Sequence, residues 1–455
     1  MPGMEEVRVA MAVFVVSRRY TALVYLLLLA SRLQEQARLS QPLPRAANGR
    51  AGGWMNTRVP VMLLAAAVAA AAWGCAEDQG ADGATVATRA ASRALAQMEV
   101  RHADHFEVEY FKGFKVVRTR GEVAAFQSNE DGEPVEDVVV LVPRDHTPDL
   151  PAHLSGAYVV ETPIRRFALN NDDILALVTE LGVRDQLVGV GGLFTYDDTV
   201  RARIERGEIG QVQYSWHLPP DIEVLLDRGP DVTFMAMDSP HNVPALGRTR
   251  DLGLVTAPAF VWAERDALAR AEWIKFFAAF FDLETEATRI FDEIEARFLK
   301  LESLARDATV RPTALWGYHA GDGRWFMAVN NLEARLLASA GVVNPLADPN
   351  APVRRAGDEF SHERLLLEGA EAEHWIIGDI HAAELPPSGF LREFAAWRDG
   401  RLYHNYARSN WDVNAYDWYE SAVVRADLAL ADLVHIFHPQ LLPDHELVYF
   451  GVFER

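Results

Sequence analysis

Cysteine is all but absent: Cys75 is the only one in 455 residues. That excludes a disulfide framework within the chain. Basic charge is also scarce. Lysine and arginine total 44 against 65 aspartates and glutamates, a formal net charge of −21. A phosphate backbone needs a basic face, so this balance argues against nucleic-acid binding. The sequence has no G-x-S-x-G, Walker A or zinc-protease motif to carry hydrolysis, and no histidine-rich loop of the kind free-zinc binders carry. What is present is hydrophobic residues, 49% of the chain, enough for sizeable cores. The length suggests two or three folded units.

The N-terminal part differs in character from the rest. Residues 55–75 read MNTRVPVMLLAAAVAAAAWGC: one positive residue (Arg58), an apolar stretch over 59–72, and small residues before the cysteine. That is the layout of a secretory signal, and it is too short to prefer a transmembrane reading. Ending on Gly74-Cys75, it resembles a bacterial lipoprotein signal, whose cysteine becomes the lipidated first residue. It departs from that pattern at Ala72, where leucine is usual, and at the bulky Trp73. The expectation is a signal peptide over 55–74, lipidation at Cys75 and a membrane anchor through that lipid. Residues 1–54 hold two short apolar runs, 13–16 and 23–30, separated by Arg18 and Arg19. They read as a non-native extension with Met55 as the true start, a membrane anchor being the other reading. Residues 75–100, small and polar, read as a tether.

Beyond the tether, residues 106–120 alternate apolar and polar side chains about Lys112-Gly113, as a hairpin does. Residues 137–145 and 157–169 read as further strands. The period then changes. In NNDDILALVTELGV (170–183) Ile174, Leu177, Val178 and Leu181 share a helical face, with Asn or Asp as cap and Gly182 as stop. Strand and helix alternate from there, which points to parallel α/β packing. Residues 267–305 read as two helices, the second bearing the stripe Ile290, Ile294, Phe298 and Leu301. At 1.5 Å per residue it spans on the order of 30 Å, long enough to cross between lobes. The α/β pattern then restarts and closes on an amphipathic helix, ADLALADLVHIFHPQLL. The expected organisation is an N-terminal lobe over 101–283, a bridging helix over 284–308 and a C-terminal lobe over 309–455. Both lobes are expected to be Rossmann-like, with a ligand cleft between them.

One unit is written twice. PPDIEVLLDRGPDVTF (219–234) places Glu223 six residues before Gly229, and SHERLLLEGAEAEHWII (361–377) places Glu363 six before Gly369. Leu225 and Leu226 match Leu365 and Leu366, and both pairs are expected to face inward. Each unit reads as a helix with an acid at its mouth, where the helix dipole favours negative charge, followed by a buried strand.

Together with ETPIRRFALNNDDILALVTELGVRDQLVGVGG, NNLEARLLASAG, the long helix and the tail ADLVHIFHPQLLPDHEL, these units resemble the substrate-binding proteins of ABC importers for iron-siderophores, haem and cobalamin. The resemblance covers residues 105–452 and rests on order and spacing. It implies two lobes bridged by one helix and no chemistry on the ligand. It further implies that Glu223 and Glu363 form salt bridges with arginines of a permease dimer, where charge-assisted contacts fix orientation. The implied ligand is a metal chelate, an iron-siderophore first and haem or cobalamin next. The protein itself would hold no cofactor, the iron or cobalt belonging to the ligand. A monomer in the periplasm or cell envelope is expected.

In such a fold the ligand lies in the interlobe cleft, lined by loops at the carboxyl ends of strands. The first lobe offers Phe194, Tyr196, Asp197, Tyr214 and Trp216. The second offers Tyr318, Trp325, Phe326 and Asn330, then Arg408, Asn410, Trp411, Tyr416 and Trp418. Rings suit a large flat or chelated ligand, giving contact area at low entropy cost. No basic set for a tri-anionic catecholate complex stands out in the sequence, nor a His/Tyr pair for haem iron. His435 and His438 read as structural. Two rival functions are a chelatase-like enzyme with Asp197 or His319 as base, and a surface binding lipoprotein without a permease.

Overall fold

The alternation about Lys112-Gly113 builds a hairpin. β1 (Phe106–Phe111) and β2 (Phe114–Val123) pair antiparallel with Phe111 opposite Phe114, and Gly113 takes the left-handed φ of 89° that closes the turn. A computed structural model of the chain describes residues 97–124, 132–144, 146–191, 194–213, 218–321, 323–378 and 388–453. Cys75, the leader, Tyr214 and Trp216 lie outside the described residues.

β3 (Glu133–Pro143) continues the hairpin antiparallel, and β4 (Tyr158–Thr162) adds to it in parallel, completing a four-stranded sheet. This separate layer differs from the expectation. The stretch 157–169 is not one strand but two, because β5 (Phe167–Leu169) turns away into another sheet. That sheet is wholly parallel. It comprises β6 (Leu187–Gly191), β7 (Gly210–Gln213), β8 (Val232–Ala236) and β9 (Thr256–Ala259), in the order β7-β6-β5-β8-β9. All five residues of β8 are buried, as expected of a parallel strand covered on both faces.

The second lobe is mixed. β10 (Ala314–Gly321), β11 (Arg324–Met327), β12 (Asp358–Ser361), β13 (His374–Ile377) and β14 (Leu402–His404) are joined, after the small hairpin of β15 (Ser409–Asn410) and β16 (Ala415–Tyr416), by β17 (Gly451–Val452). The order is β12-β11-β10-β13-β14-β17, with β10, β13 and β14 parallel and the outer strands antiparallel. The two lobes share a parallel core but not their edges.

Residues 267–305 hold three helices, not two: Ala267–Glu272, Ile274–Phe281 and Glu284–Arg306. The first two carry almost no exposed surface, so they are core rather than cover. The third buries Ala287, Ile290, Phe291, Ile294, Phe298 and Ala305 along one face. That face packs on Ile274–Phe281 from the first lobe and on Ala426–Phe437 from the second. Arg297 also reaches Asp427 at 2.6 Å. At the other end, Lys115 of β2 is fully buried and meets the Ala279 carbonyl (2.6 Å), Asp282 (2.7 Å) and Glu284 (2.5 Å). Lys115→Met would strand the buried Glu284 carboxylate without its cation. The expected cost is about 3–5 kcal/mol of unfolding free energy, read by urea titration.

The repeated helices Ile222–Arg228 and His362–Gly369 start alike. Asp221 accepts from the Glu223 and Val224 amides, and Ser361 accepts from the Arg364 amide. Each glutamate sits two residues past its cap. Leu225 and Leu365 are fully buried, but Leu226 is 47% exposed, which corrects the inward reading of both leucines. The closing glycines differ in purpose. Gly229 caps its helix at a φ of 54°, whereas Gly369 remains helical and lies where a Cβ would press on Leu315.

Candidate functional site

Strand alternation decides which rings reach the cleft. On β10, Trp316 and Tyr318 face a cavity between the lobes. The antiparallel register places Phe326 opposite Tyr318 and Trp325 opposite His319. Phe326 therefore joins Tyr318, and the two rings stack at 5.3 Å. Trp325 goes to the other face, where it is fully buried against Trp375 in the second-lobe core. Trp325 as a ligand contact is thus corrected: one residue of register puts it on the wrong side of the sheet.

Tyr318, Phe326 and Trp418 line the cavity. Trp262, Trp316 and Tyr419 line it too and were missed. Trp262 follows β9 from the first lobe and meets Tyr419 of the second at 6.1 Å, so rings touch across the lobes. The rule that sites form past the carboxyl ends of strands could have found it. Trp316 was legible as the residue two before Tyr318.

The other candidates serve different purposes. Asp197 caps the helix Asp198–Glu205 and pairs with Arg184 at 2.7 Å. Asn330 ties its loop to the Ala351 carbonyl at 2.6 Å. Neither lines the cavity. Phe194 is half-buried and also off the cavity wall. Asn410, Trp411 and Tyr416 belong to the β15–β16 hairpin outside the cavity, with Trp411 packed edge-on against Tyr406 and Tyr416. His435 and His438 bond to the Leu442 and Ala340 carbonyls, in keeping with structural roles.

Tyr196 and Arg408 join the lobes instead of lining the cavity. The Arg408 guanidinium lies 5.2 Å from the Tyr196 ring and pairs with Asp417 at 2.5 Å. Beside them Glu420, 5% exposed, accepts from the Thr195 hydroxyl (2.9 Å) and from the Tyr196 amide across the lobe boundary. Burial, then the nearby Asp172 charge, pushes the Glu420 carboxyl well above the carboxylate range. Burial likewise raises Asp172 to about 7 and Asp238 to about 6. Asp173 rises well above its usual value through burial and the charges of Asp238 and Asp172.

These acids bind protons in the folded protein that they release on unfolding. Their contribution is therefore full below about pH 4 and is lost as pH rises through the raised values. Unfolding free energy is expected to fall between about pH 4 and 7, by up to about 1.4 kcal/mol per unit for each retained proton. Glu420→Gln keeps an acceptor for Thr195 and Tyr196 and should flatten that slope, measured by urea unfolding across the range.

The basic set that the sequence did not reveal is assembled by the fold. Arg270 and Arg355 line the cavity from opposite lobes. Arg270 lies 4.5 Å over the Trp262 ring, and Arg355 donates to the Glu122 carbonyl at 2.7 Å. Arg265 is pushed down to about 10 by burial, with further contributions from the charges of Arg270, Arg355 and Arg335. Four guanidiniums thus share one field. Glu333, also on the wall, is raised by burial, as are Asp238 and Asp173. Burial disfavours the charged form of these carboxyls, and the guanidiniums of Arg270 and Arg355 bring positive charge to the same wall.

No family model matches this chain. Two uncharacterized lipoproteins of Methanocaldococcus jannaschii are similar to it. One is 21% identical over 305 residues, covering 64% of this chain and 69% of its own length. The other is 22% identical over 243 residues, covering 50% of this chain and 58% of its own. Among solved structures, a periplasmic heme-binding protein from Roseiflexus sp. RS-1 in apo form is 20% identical with a TM-score of 0.45, covering 61% of this chain and 99% of that one. A periplasmic heme-binding protein from Pseudomonas aeruginosa is 18% identical with a TM-score of 0.47, covering 64% and 99%. A periplasmic vitamin B12 binding protein of Vibrio cholerae is 15% identical with a TM-score of 0.43, covering 62% and 99%.

Proposed function

We propose that this protein is an extracytoplasmic binding protein that captures an anionic metal chelate between its lobes and delivers it to an ABC importer permease dimer. The observation that carries the reading is the interlobe cavity, whose wall joins Trp262 and Arg270 of the first lobe to Trp316, Tyr318, Trp418 and Arg355 of the second. Rings supply contact area to a chelate, and guanidiniums read its carboxylate, catecholate or propionate oxygens. A ligand held by both lobes favours their apposition, and the Glu420 contacts form at the same boundary. An iron-siderophore with acidic oxygens fits this chemistry first, haem next, and cobalamin less well because it offers the arginines little negative charge. The iron or cobalt would arrive with the ligand. The lipoprotein relatives and the Cys75 signal support a membrane-anchored form. On this reading the protein acts on its ligand by binding alone.

The test is tryptophan fluorescence titration of the chain from Cys75 onward with ferric catecholate, ferric hydroxamate, haem and cobalamin, each beside its metal-free form. Saturable quenching is expected for an anionic chelate without chemical change in it. Turnover of the metallated ligand would favour a chelatase instead. Silence across the panel would remove the chelate class.

A further inference from the structure

Strand register brings together three uncharged residues of the cavity wall, Trp316, Gly378 and Asn405. β10 pairs with β13 in parallel, with Trp316 opposite Ile376 and Gly317 opposite Ile377, and β13 pairs with β14, with Ile377 opposite His404. Gly378 and Asn405 are the next residues along β13 and β14. Both therefore stand just past the carboxyl ends of parallel strands, where ligands bind in such sheets. The Gly378 amide donates to the Gly317 carbonyl at 2.9 Å, which pins its backbone against β10. A Cβ at Gly378 would lie 3.3 Å from Trp316 Nε1 and 3.7 and 3.8 Å from the two polar atoms of the Asn405 amide. An indole N–H and a carboxamide thus converge on one point, which the missing side chain keeps open. Trp316 is 3% exposed and Asn405 6%. Neither polar group makes a hydrogen bond to another described residue. Polar groups this deep are ordinarily paired, so two that share one opening call for a partner.

We propose that Trp316, Asn405 and Gly378 form a subsite that hydrogen-bonds an amide group of the captured ligand, which makes that ligand an amide-bearing chelate. The proposal rests on chelate capture in the interlobe cavity. An amide matches the set. Its carbonyl accepts from the indole N–H, and its own N–H donates to the Asn405 side-chain carbonyl. A carboxylate does not match, because none of the three residues carries charge and burying an unpaired ion is costly. The acidic oxygens of the ligand belong instead to Arg270 and Arg355, on the same wall. The cavity therefore reads two chemistries at once, a charged one by guanidinium and a neutral one by Trp316 and Asn405. The Trp418 and Phe450 rings, centred 5.7 and 5.5 Å from that of Trp316, hold the indole in its orientation.

The experiment is calorimetric titration of the full mature chain with two gallium(III) complexes. One is an amide-linked tricatecholate, and the other is citrate, which has carboxylates and no amide. Gallium carries the charge of ferric iron and is diamagnetic. The amide-linked complex is expected to bind more tightly. Asn405→Ala should weaken it by about fivefold or more, the loss of one buried hydrogen bond. Gly378→Ala, which sets a methyl group at the point of convergence, should weaken it by about tenfold or more, again with citrate affinity unchanged. Unchanged affinity for the amide-linked complex in both variants would overturn the subsite and leave capture standing. Equal losses for both complexes would overturn the amide assignment. Silence of the unsubstituted protein toward both complexes would remove the subsite together with capture of chelates of this type, a result distinct from failure in the variants alone. Should either variant unfold, the indole N–H resonance of Trp316 in the unsubstituted protein decides: a downfield shift with the amide-linked complex and none with citrate supports the subsite, and no shift with either rejects it.

Discussion

Arg270→Glu should lower the affinity for an anionic chelate by about 100-fold or more. A hydrogen bond to a charged group contributes roughly 1.5–3 kcal/mol, and reversal adds repulsion where attraction stood. A total near 3–4 kcal/mol corresponds to roughly 100- to 1000-fold in dissociation constant. Arg270 is the decisive position because it lines the cavity and is held over Trp262, so its guanidinium is preorganised. Arg355→Glu should act in the same direction from the other lobe. The double variant should fall short of the sum, since both arginines share one field and one ligand. Arg270→Gln, which removes charge without reversing it, should fall between. Affinity by fluorescence titration at two salt concentrations checks this: the wild type should lose affinity as salt rises, and the variants much less. Unchanged affinity for every anionic chelate would remove the arginine reading and move cobalamin ahead of the anionic chelates.

The arginines also show what the sequence could and could not reveal. The α/β class, the long amphipathic helix Glu284–Arg306 and the repeated capped helix are local, periodic features, and they can be read from spacing. Trp418 stands just past β16, whereas Tyr318 and Phe326 lie inside β10 and β11 and were named for their rings alone. Trp325 was misplaced because a run of neighbouring aromatics does not say which face each one takes. Only the pairing of β10 with β11 does that. The four guanidiniums come from residues 265, 270, 335 and 355, spread over helices and loops of both lobes, and no motif links them. Their proximity is a property of closure between lobes. The same holds for Glu420, whose partners Thr195 and Tyr196 lie more than 200 residues earlier in the chain. Long-range polar contacts are set by tertiary packing, so local pattern carries little trace of them.

The second large effect concerns delivery. Glu223→Ala combined with Glu363→Ala should reduce uptake of the chelate to background while leaving its binding unchanged. Both carboxylates are exposed, each two residues past a helix cap, and each on its own lobe. Neither lines the cavity, so chelate affinity has no physical reason to move. The surroundings favour contact with a partner. Leu226, one turn beyond Glu223, is 47% exposed, and Leu367, one turn beyond Glu363, is 86% exposed. A leucine that exposed is unfavourable in water and favourable beneath a partner, where burying it is worth about 1.5–3 kcal/mol. Each helix therefore presents an acid with an apolar neighbour, and a partner with two equivalent sockets would read both. Single variants should each reduce uptake at least tenfold, because docking requires both lobes to engage and loss of one contact loosens the second through lost effective concentration. Glu→Gln at either position should behave nearly as Ala if charge-assisted pairing with arginine is the contact, and nearly as wild type if shape alone is read. Charge reversal in the partner's socket combined with Glu223→Lys should recover part of the uptake. Normal uptake in the double alanine variant would mean that the repeated acid serves only its own helix dipole, and the delivery route would have to be sought on another face.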